Sequence, residues 1–226
     1  MESPAELEPL LARLRGGDKS ALAELFDIYR EQLRRMVDFR LDARLNGRIS
    51  CSDVLQETYL DAMQRLEHFL KKPDLPFHVW LRLVASQRIV DVHRQHLGAQ
   101  MRSAENEVYL EDTVLPQVSS VILAKCLAAH MESPSHVLMR KELLAQVEEV
   151  FNTMDPLDRE VLALRHFEEL SNDEVAAYLG LQKSAASNRY IRALRRLKEG
   201  LASMQGGDAS SSNSSPRQPG ESGDGG

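Results

Sequence analysis

An all-α fold of two small helical domains joined by a linker is predicted by three observations. Leu, Ala, Arg and Glu dominate a chain of 226 residues that is only 5% aromatic, which favours helix over strand. Apolar residues recur at spacings of three and four through most of the chain, the period of a buried helical stripe. Gly and Pro gather between those stripes rather than inside them. The length suits one large or two small domains. The expected division is residues 5–98 as a first helical domain, 99–136 as a linker, 137–204 as a second domain, and 205–226 as a tail.

Residues 5–17 form a short helix that stops at Gly16-Gly17. Asp18-Lys-Ser20 restarts a helix running to about Asn46, with Leu22, Leu25, Phe26, Tyr29, Leu33, Met36, Val37 and Leu41 as its inner stripe. Asn46-Gly47 ends it, and Ser50 or Ser52 caps the next helix, Asp53 to Phe69, with Val54, Leu55, Tyr59, Met63 and Leu66 inward. Pro73 and Pro76 make residues 71–76 a loop, because two prolines so close break a helix. A helix from Phe77 to about His96 follows, with Val79, Trp80, Leu83, Val84 and Ile89 apolar. Between 98 and 136 the pattern weakens: Asp112 to Ser120 reads as extended or turn, and Val121 to Met131 as a short helix. A helix from Ser135 to Met154 then leads into another at Asp155-Pro156.

The most specific signal lies between Leu157 and Glu199. Ser171 is a good helix N-cap with Glu174 three residues on, the capping-box arrangement. Val175, Ala176 and Leu179 form the apolar side of a short helix, Gly180 supplies a left-handed turn, and Leu181 plugs the corner. Ala186, Leu194 and Leu197 hold the following helix on the core. This is a helix-turn-helix, and Lys183, Ser184, Ala185, Ser187, Asn188 and Arg192 point away from its core, on the surface a recognition helix offers to the major groove. Residues 183–198 carry six basic side chains and no acid, whereas residues 141–174 carry ten acids and three bases. A net charge of −6 conceals this polarised domain. Basic residues there supply phosphate contacts, and polar ones such as Ser187 and Asn188 can read base edges.

Other function classes fare worse. No apolar run reaches the length of a membrane span, and none follows the acidic N-terminus as a signal-peptide core, so the chain is expected to stay in the cytoplasm with no membrane insertion. Cys51 and Cys126 are too few and too far apart for a disulfide framework or a zinc site. Cys126 and His130 share a helical spacing, and His136 could join them, but a metal needs about four ligands, and the pair reads as structural or exposed. No catalytic residue, metal or other cofactor is implied. In the tail from Gly206, Gly, Ser and Pro fill 14 of 21 positions, a composition that predicts disorder.

The order and spacing of several further motifs resemble the extracytoplasmic-function (ECF) sigma factors of the sigma-70 family, promoter-specificity subunits of bacterial RNA polymerase. Asp53-Val-Leu-Gln56-Glu57-Thr-Tyr59-Leu-Asp61 resembles the family's region 2.2. Trp80-Leu-Arg82 through Arg88-Ile-Val-Asp91-Val-His93-Arg94 resembles regions 2.3 to 2.4. Asp158-Arg159-Glu160 before the helix-turn-helix, and Arg192-Ala-Leu-Arg195-Arg196-Leu197 at its end, resemble region 4. The resemblance covers about residues 5–98 and 137–202.

It implies core RNA polymerase as partner, through the β′ clamp for region 2 and the β flap for region 4, and promoter DNA as ligand. Asp53, Gln56, Glu57 and Asp61 are the implied polymerase-binding face, an acidic and amide strip suited to a basic partner helix. Arg82, Arg88, His93 and Arg94 are candidates for the −10 element, with the 71–77 loop near a flipped base. Trp80 reads as core rather than as a stacking platform, and Asp91 as a brace for neighbouring arginines. Lys183, Ser184, Ser187, Asn188, Arg189 and Arg192 are candidates for the −35 element. Ala185-Ala186 departs from the Thr-Val frequent in the family, which removes one hydroxyl from the DNA-facing set. An anti-sigma factor as a controlling partner stays open. A stand-alone dimeric regulator would have no need of the second basic stretch between Arg82 and Arg102. A DNA-processing enzyme would need a nucleophile with clustered arginines or a carboxylate metal site, and the sequence has neither.

Overall fold

The computed structural model describes residues 4–45, 47–97, 107–110, 113–116, 118–130 and 137–207. The chain runs α1 (Pro4–Arg15), α2 (Ser20–Arg40), a 3-10 turn (Ala43–Leu45), α3 (Cys51–Lys71), α4 (Phe77–Leu97), β1 (Glu107–Leu110), β2 (Thr113–Pro116), α5 (Ser120–His130), α6 (Val137–Asn152), α7 (Pro156–His166), α8 (Asn172–Tyr178) and α9 (Lys183–Gly207). The helices expected from periodicity are present with ends within a few residues, except that α2, expected to reach about Asn46, stops at Arg40, where Leu41 turns extended before the 3-10 turn. The fold is helical apart from one short antiparallel hairpin, β1–β2, which pairs Glu107 with Pro116 and Leu110 with Thr113. The stretch expected as a linker thus holds a hairpin and α5, and β2 lies beside α4. The tail was expected to be disordered from Gly206, but α9 continues through Gly207, and the rest of the tail, residues 208–226, lies outside those described.

Local chemistry accounts for the boundaries. Ser50, not Ser52, caps α3: its hydroxyl accepts from the Asp53 N–H at 3.1 Å while the Asp53 carboxylate accepts from the Ser50 N–H at 2.9 Å. Asp155 caps α7 by accepting from the Leu157 and Asp158 N–H groups, and Pro156 takes the first helical position, where a missing N–H costs nothing. Gly17 and Gly47 adopt φ of 93° and 82° in the turns before α2 and α3.

Three hydrophobic clusters organise the molecule. The first joins α1 to α4 around Leu14, Leu22, Leu25, Leu33, Met36, Leu45, Leu81 and Ile89. Trp80 belongs to its edge, stacked on Phe69 at 4.5 Å between ring centroids, as a core residue. A second gathers α7, α8 and Ala186 of α9, and takes in Val79 from α4. A third joins α5, α6, α7 and α9 around Leu123, Phe151, Leu162 and Ala193. α4 therefore serves both halves, and its buried residues (Phe77, Val79, Leu81, Val84, Ala85, Ile89, Val90, Val92) lie all round it.

α6 and α9 approach closely at Gly200, where a β-carbon would lie 2.4 Å from a Val150 methyl. Val150 is β-branched and stiff at χ1, so it cannot swing aside freely. Gly200→Ala is expected to destabilise by about 1–2 kcal/mol, overpacking outweighing the roughly 1 kcal/mol gain in helix propensity. Urea unfolding of Gly200→Ala against Gly200→Ala/Val150→Ala checks this, and the second change should restore most of the loss.

Candidate nucleic-acid interface

The helix-turn-helix is held by its own polar clasp. Ser171 and Glu174 form the capping box of α8, with both hydrogen bonds present. Gly180 takes φ 62° in the turn. Asn172 donates to the Lys183 carbonyl at 3.1 Å and accepts from the Ser187 hydroxyl at 3.1 Å, so the start of α8 fixes the first turns of α9. Ala186 and Ala193 are fully buried, which sets the rotation of α9. Opposite them lie Ser184, Asn188, Ile191 and Arg195, all exposed. Of the expected −35 residues, Ser184 and Asn188 lie centrally on this face, and Lys183, Ser187, Arg189 and Arg192 flank it.

Ile191 and Arg195 complete the outward face, and sequence reasoning had not singled them out. Ile191 is 54% exposed, an apolar side chain among polar ones on the outward face of α9. The 3.6-residue period extended from Ser184 and Asn188 would have found both.

The flanking cations are paired with carboxylates. Arg192 meets Asp158 through two hydrogen bonds of 2.5 and 2.9 Å, and Arg189 meets the same carboxylate at 2.6 Å. Lys183 pairs with Asp173 at 2.6 Å. Burial pushes the Asp158 carboxyl up, but the hydrogen bonds from Arg192 and Arg189 outweigh it and hold it below the usual carboxylate range. One acid of α7 thus gathers two arginines of α9 on the flank of its outward face.

The candidate −10 residues sit differently. Arg94 is exposed near the end of α4. Arg88 is half-buried and holds Asp61 at 2.6 Å. His93 is 9% exposed and accepts the Asp42 N–H through Nε2 at 3.1 Å. Arg82 is 4% exposed and pairs with Glu168. Of the four −10 candidates only Arg94 is exposed: Arg88 and His93 turn to Asp61 and Asp42 within the first half, and Arg82 to Glu168 of the second. Asp91 accepts from Gln87 at 3.2 Å.

Arg82 belongs to a buried cluster. Arg40, at the end of α2, reaches Glu160 of α7 at 2.5 Å and Glu168 at 2.5 Å. Burial pushes the Glu160 carboxyl up and Arg40 pulls it back. Beside the cluster the Ser86 and Tyr178 hydroxyls are hydrogen-bonded, and burial raises the Tyr178 phenol to about 12. His78 of α4 pairs with Glu174 of α8 at 2.5 Å and holds that carboxyl at about 2, chiefly through their hydrogen bond. A depressed carboxyl contributes stability that is complete above its unfolded value near 4.5 and lost as pH falls through its folded value. The α4–α8 contact is therefore expected to loosen as pH drops from about 4.5 towards 2, with Glu174 titrating late; carboxyl NMR of wild type against His78→Ala checks it, and the variant should titrate nearer 4.5.

On α3, Asp53, Gln56 and Glu57 are exposed, but Asp61 does not continue their face: it is 8% exposed and turned in to Arg88. Asp53 is half committed to the cap, and its Ser50 bonds hold its carboxyl below the usual range. The open strip instead continues through Leu60, 42% exposed, with Met63, 47% exposed, on its flank. Met63 was expected on the inner stripe of α3 but lies outside it, because the stripe of buried residues runs through Val54, Leu55, Thr58, Ala62 and Leu66, and it leaves two large apolar side chains exposed beside an amide and acids.

Two helical halves and a helix-turn-helix with a basic second helix define the class of two-domain helical transcription factors. The family model described as "ECF sigma factor" matches residues 4–202, and the chain belongs to that family. It is 26% identical over 196 residues to the RNA polymerase sigma-H factor of Pseudomonas aeruginosa, covering 86% of this chain and 93% of that protein. It is 31% identical over 146 residues to the RNA polymerase sigma factor CnrH of Cupriavidus metallidurans, covering 64% of this chain and 70% of that one. Among solved structures it resembles CnrH in complex with the cytosolic domain of CnrY (TM-score 0.48, 23% identity, 89% of this chain and 97% of that one). It also resembles RpoE in complex with the anti-sigma factor NepR from Bartonella quintana (TM-score 0.43, 16% identity, 80% and 95%). Among the described residues no helix is long and apolar enough to cross a membrane.

Proposed function

We propose that this ECF sigma factor brings core RNA polymerase to its promoters through four surfaces, without catalysis of its own and in the cytoplasm. The recognition face of α9, from Lys183 to Arg195, reads the −35 element. Asn188 and Ser184 meet base edges, Ile191 offers apolar contact to a thymine methyl, and Lys183, Arg189, Arg192 and Arg195 hold phosphates. α4 meets the −10 element through Arg94 and Arg88, with Arg82 joining when it leaves Glu168 and His93 when it leaves the Asp42 N–H. The strip Asp53, Gln56, Glu57, Leu60 and Met63 on α3 docks on the β′ clamp, and the second half meets the β flap. The domains are proposed as 5–98 and 137–204, with α5 packed on the second.

The observation that carries this reading is the combination on one chain of a basic recognition face and, on the other half, an exposed apolar and acidic strip that nothing within the molecule covers among the described residues. Co-purification with core RNA polymerase tests it. Wild type is expected to bind. Alanine at Gln56, Glu57, Leu60 and Met63 is expected to reduce binding at least about tenfold, as for loss of interface hot spots, with helical content unchanged. Undiminished binding by a folded variant would refute the docking surface, and a wild-type chain that does not bind core polymerase would remove the sigma-factor reading.

A further inference from the structure

A cavity of about 800 Å³ opens between α1, α2, the start of α4, the loop before it and the α7–α8 loop. A close-packed interior leaves few voids larger than a water molecule, and this one has the size of a small-molecule site. Of the residues assigned above to DNA or polymerase, only Arg82 reaches it. Pro73 and Pro76 stiffen the loop at one end, and half-buried Leu7, Leu11 and Ile28 line the sides. The floor is Met36, Phe69, Phe77 and Leu170, all buried. Tyr29 and Phe69 flank the Phe77 ring at 6.1 and 5.9 Å between centroids, so much of the floor is continuous aromatic surface.

The lining is acidic. Five carboxylates (Glu8, Glu31, Glu168, Glu169, Glu174) stand against three guanidiniums (Arg15, Arg35, Arg82). Most are committed: Arg15 holds Glu8, Arg82 holds Glu168 and His78 holds Glu174. Glu31, Glu169 and Arg35 make no hydrogen bond or ion pair among the described residues, and all three are exposed, which puts them at the mouth. Glu169 takes φ 59° there, a left-handed conformation unfavourable for a residue with a β-carbon. A net negative wall repels a phosphate backbone, so a flipped base of the promoter is a poor occupant.

We propose that this cavity is a binding site for a small amphipathic cation, a hydrophobic amine or quaternary ammonium. Its apolar body lies on the floor of Phe69, Phe77 and Leu170, and its cationic head sits at the mouth, met by Glu31 and Glu169. An aromatic face attracts a cation through its ring quadrupole, so Tyr29 adds to the same preference. Arg35 opposes it. Two uncommitted carboxylates outweigh one uncommitted guanidinium, which disfavours an anion of the same shape.

Trp80 reports on the site. It is the single tryptophan of the chain and stacks on Phe69, one ring away from the cavity. The full chain is titrated, below the micelle concentration, with N-octylpyridinium, whose ring quenches indole fluorescence on close approach. Octyltrimethylammonium and octyl sulfate, which share the tail and differ in charge, then compete with it. Saturable quenching is expected, reversed by octyltrimethylammonium and much less by octyl sulfate. Glu31→Gln/Glu169→Gln is expected to weaken octylpyridinium binding by about tenfold, the combined effect of two solvent-exposed charge pairs, with unchanged circular dichroism. Arg35→Gln is expected to bind a few-fold more tightly, a change of sign that simple loss of structure does not produce. Quenching that never saturates, displacement by octyl sulfate as effective as by the ammonium, wild-type affinity in the folded double variant, or an Arg35→Gln chain that binds no more tightly would each overturn the site.

Discussion

Arg40→Ala is expected to cost about 3–5 kcal/mol of stability at pH 7, the range for removing one partner of a buried ion pair. The change leaves Glu160 and Glu168, both buried, without the guanidinium that bridges them. Burial alone already pushes the Glu160 carboxyl up, and Arg40 is the main influence pulling it back. Without Arg40 the folded chain keeps Glu160 ionised only at high cost, so it takes up a proton. A carboxyl raised above its unfolded value favours folding fully below that unfolded value and loses that contribution as pH rises through the folded one. The penalty is therefore largest near neutral pH and shrinks towards pH 5. Arg40→Lys keeps the charge but loses the fork that serves two carboxylates, so an intermediate loss is expected. The chain also has an escape, since parting the halves returns both carboxylates to water. The loss then saturates at the free energy of closing, and the unfolding curve splits into two transitions. Urea unfolding at pH 7 and pH 5 distinguishes these outcomes. No change at either pH would mean that the cluster is solvated and that the halves do not close on it.

Sequence reasoning reached the helix-turn-helix almost atom by atom because its determinants are local. Ser171, Glu174 and Gly180 act within a few residues of themselves, and each took the expected geometry. Trp80 was legible as core from the helical stripe. The long-range pairings were not legible, since no local rule joins Arg82 to Glu168 or Arg40 to Glu160, 86 and 120 residues apart. The exposed faces of α4 and of Asp61 were overestimated for the same reason: polarity was read as exposure, whereas Arg82, His93 and Asp61 each had a distant or cross-helix partner. One signal was available. Apolar residues lie all round α4, a pattern of a helix buried on every side, which is inconsistent with a free DNA-facing surface. The hairpin was missed because its strands are four residues each, too short for a clear alternation.

Removing Lys183 and Arg192 together is expected to weaken binding to a −35 duplex by on the order of tenfold and to flatten its salt dependence by about two phosphate contacts' worth. The decisive comparison is with Asp158→Asn, a change of nearly equal volume on the adjoining helix. Asp158 now holds Arg189 and Arg192 in three hydrogen bonds of 2.5–2.9 Å, at a place where DNA would bring phosphates of the same charge. If Asp158 competes with DNA for those arginines, Asp158→Asn strengthens binding and steepens the salt slope by up to about two contacts, even though the domain loses a charged anchor worth about 1–3 kcal/mol. If Asp158 instead aims Arg192 at its phosphate, the variant binds more weakly, and its slope flattens as it does when Arg192 itself is lost. The structure favours competition. The Arg192 side chain is 60% exposed while Asp158 is 4% exposed, so Arg192 can turn outward to DNA whereas the carboxylate cannot follow it. Fluorescence anisotropy across a salt series gives both affinity and slope for the three proteins, and the sign of the Asp158→Asn slope change separates the two roles.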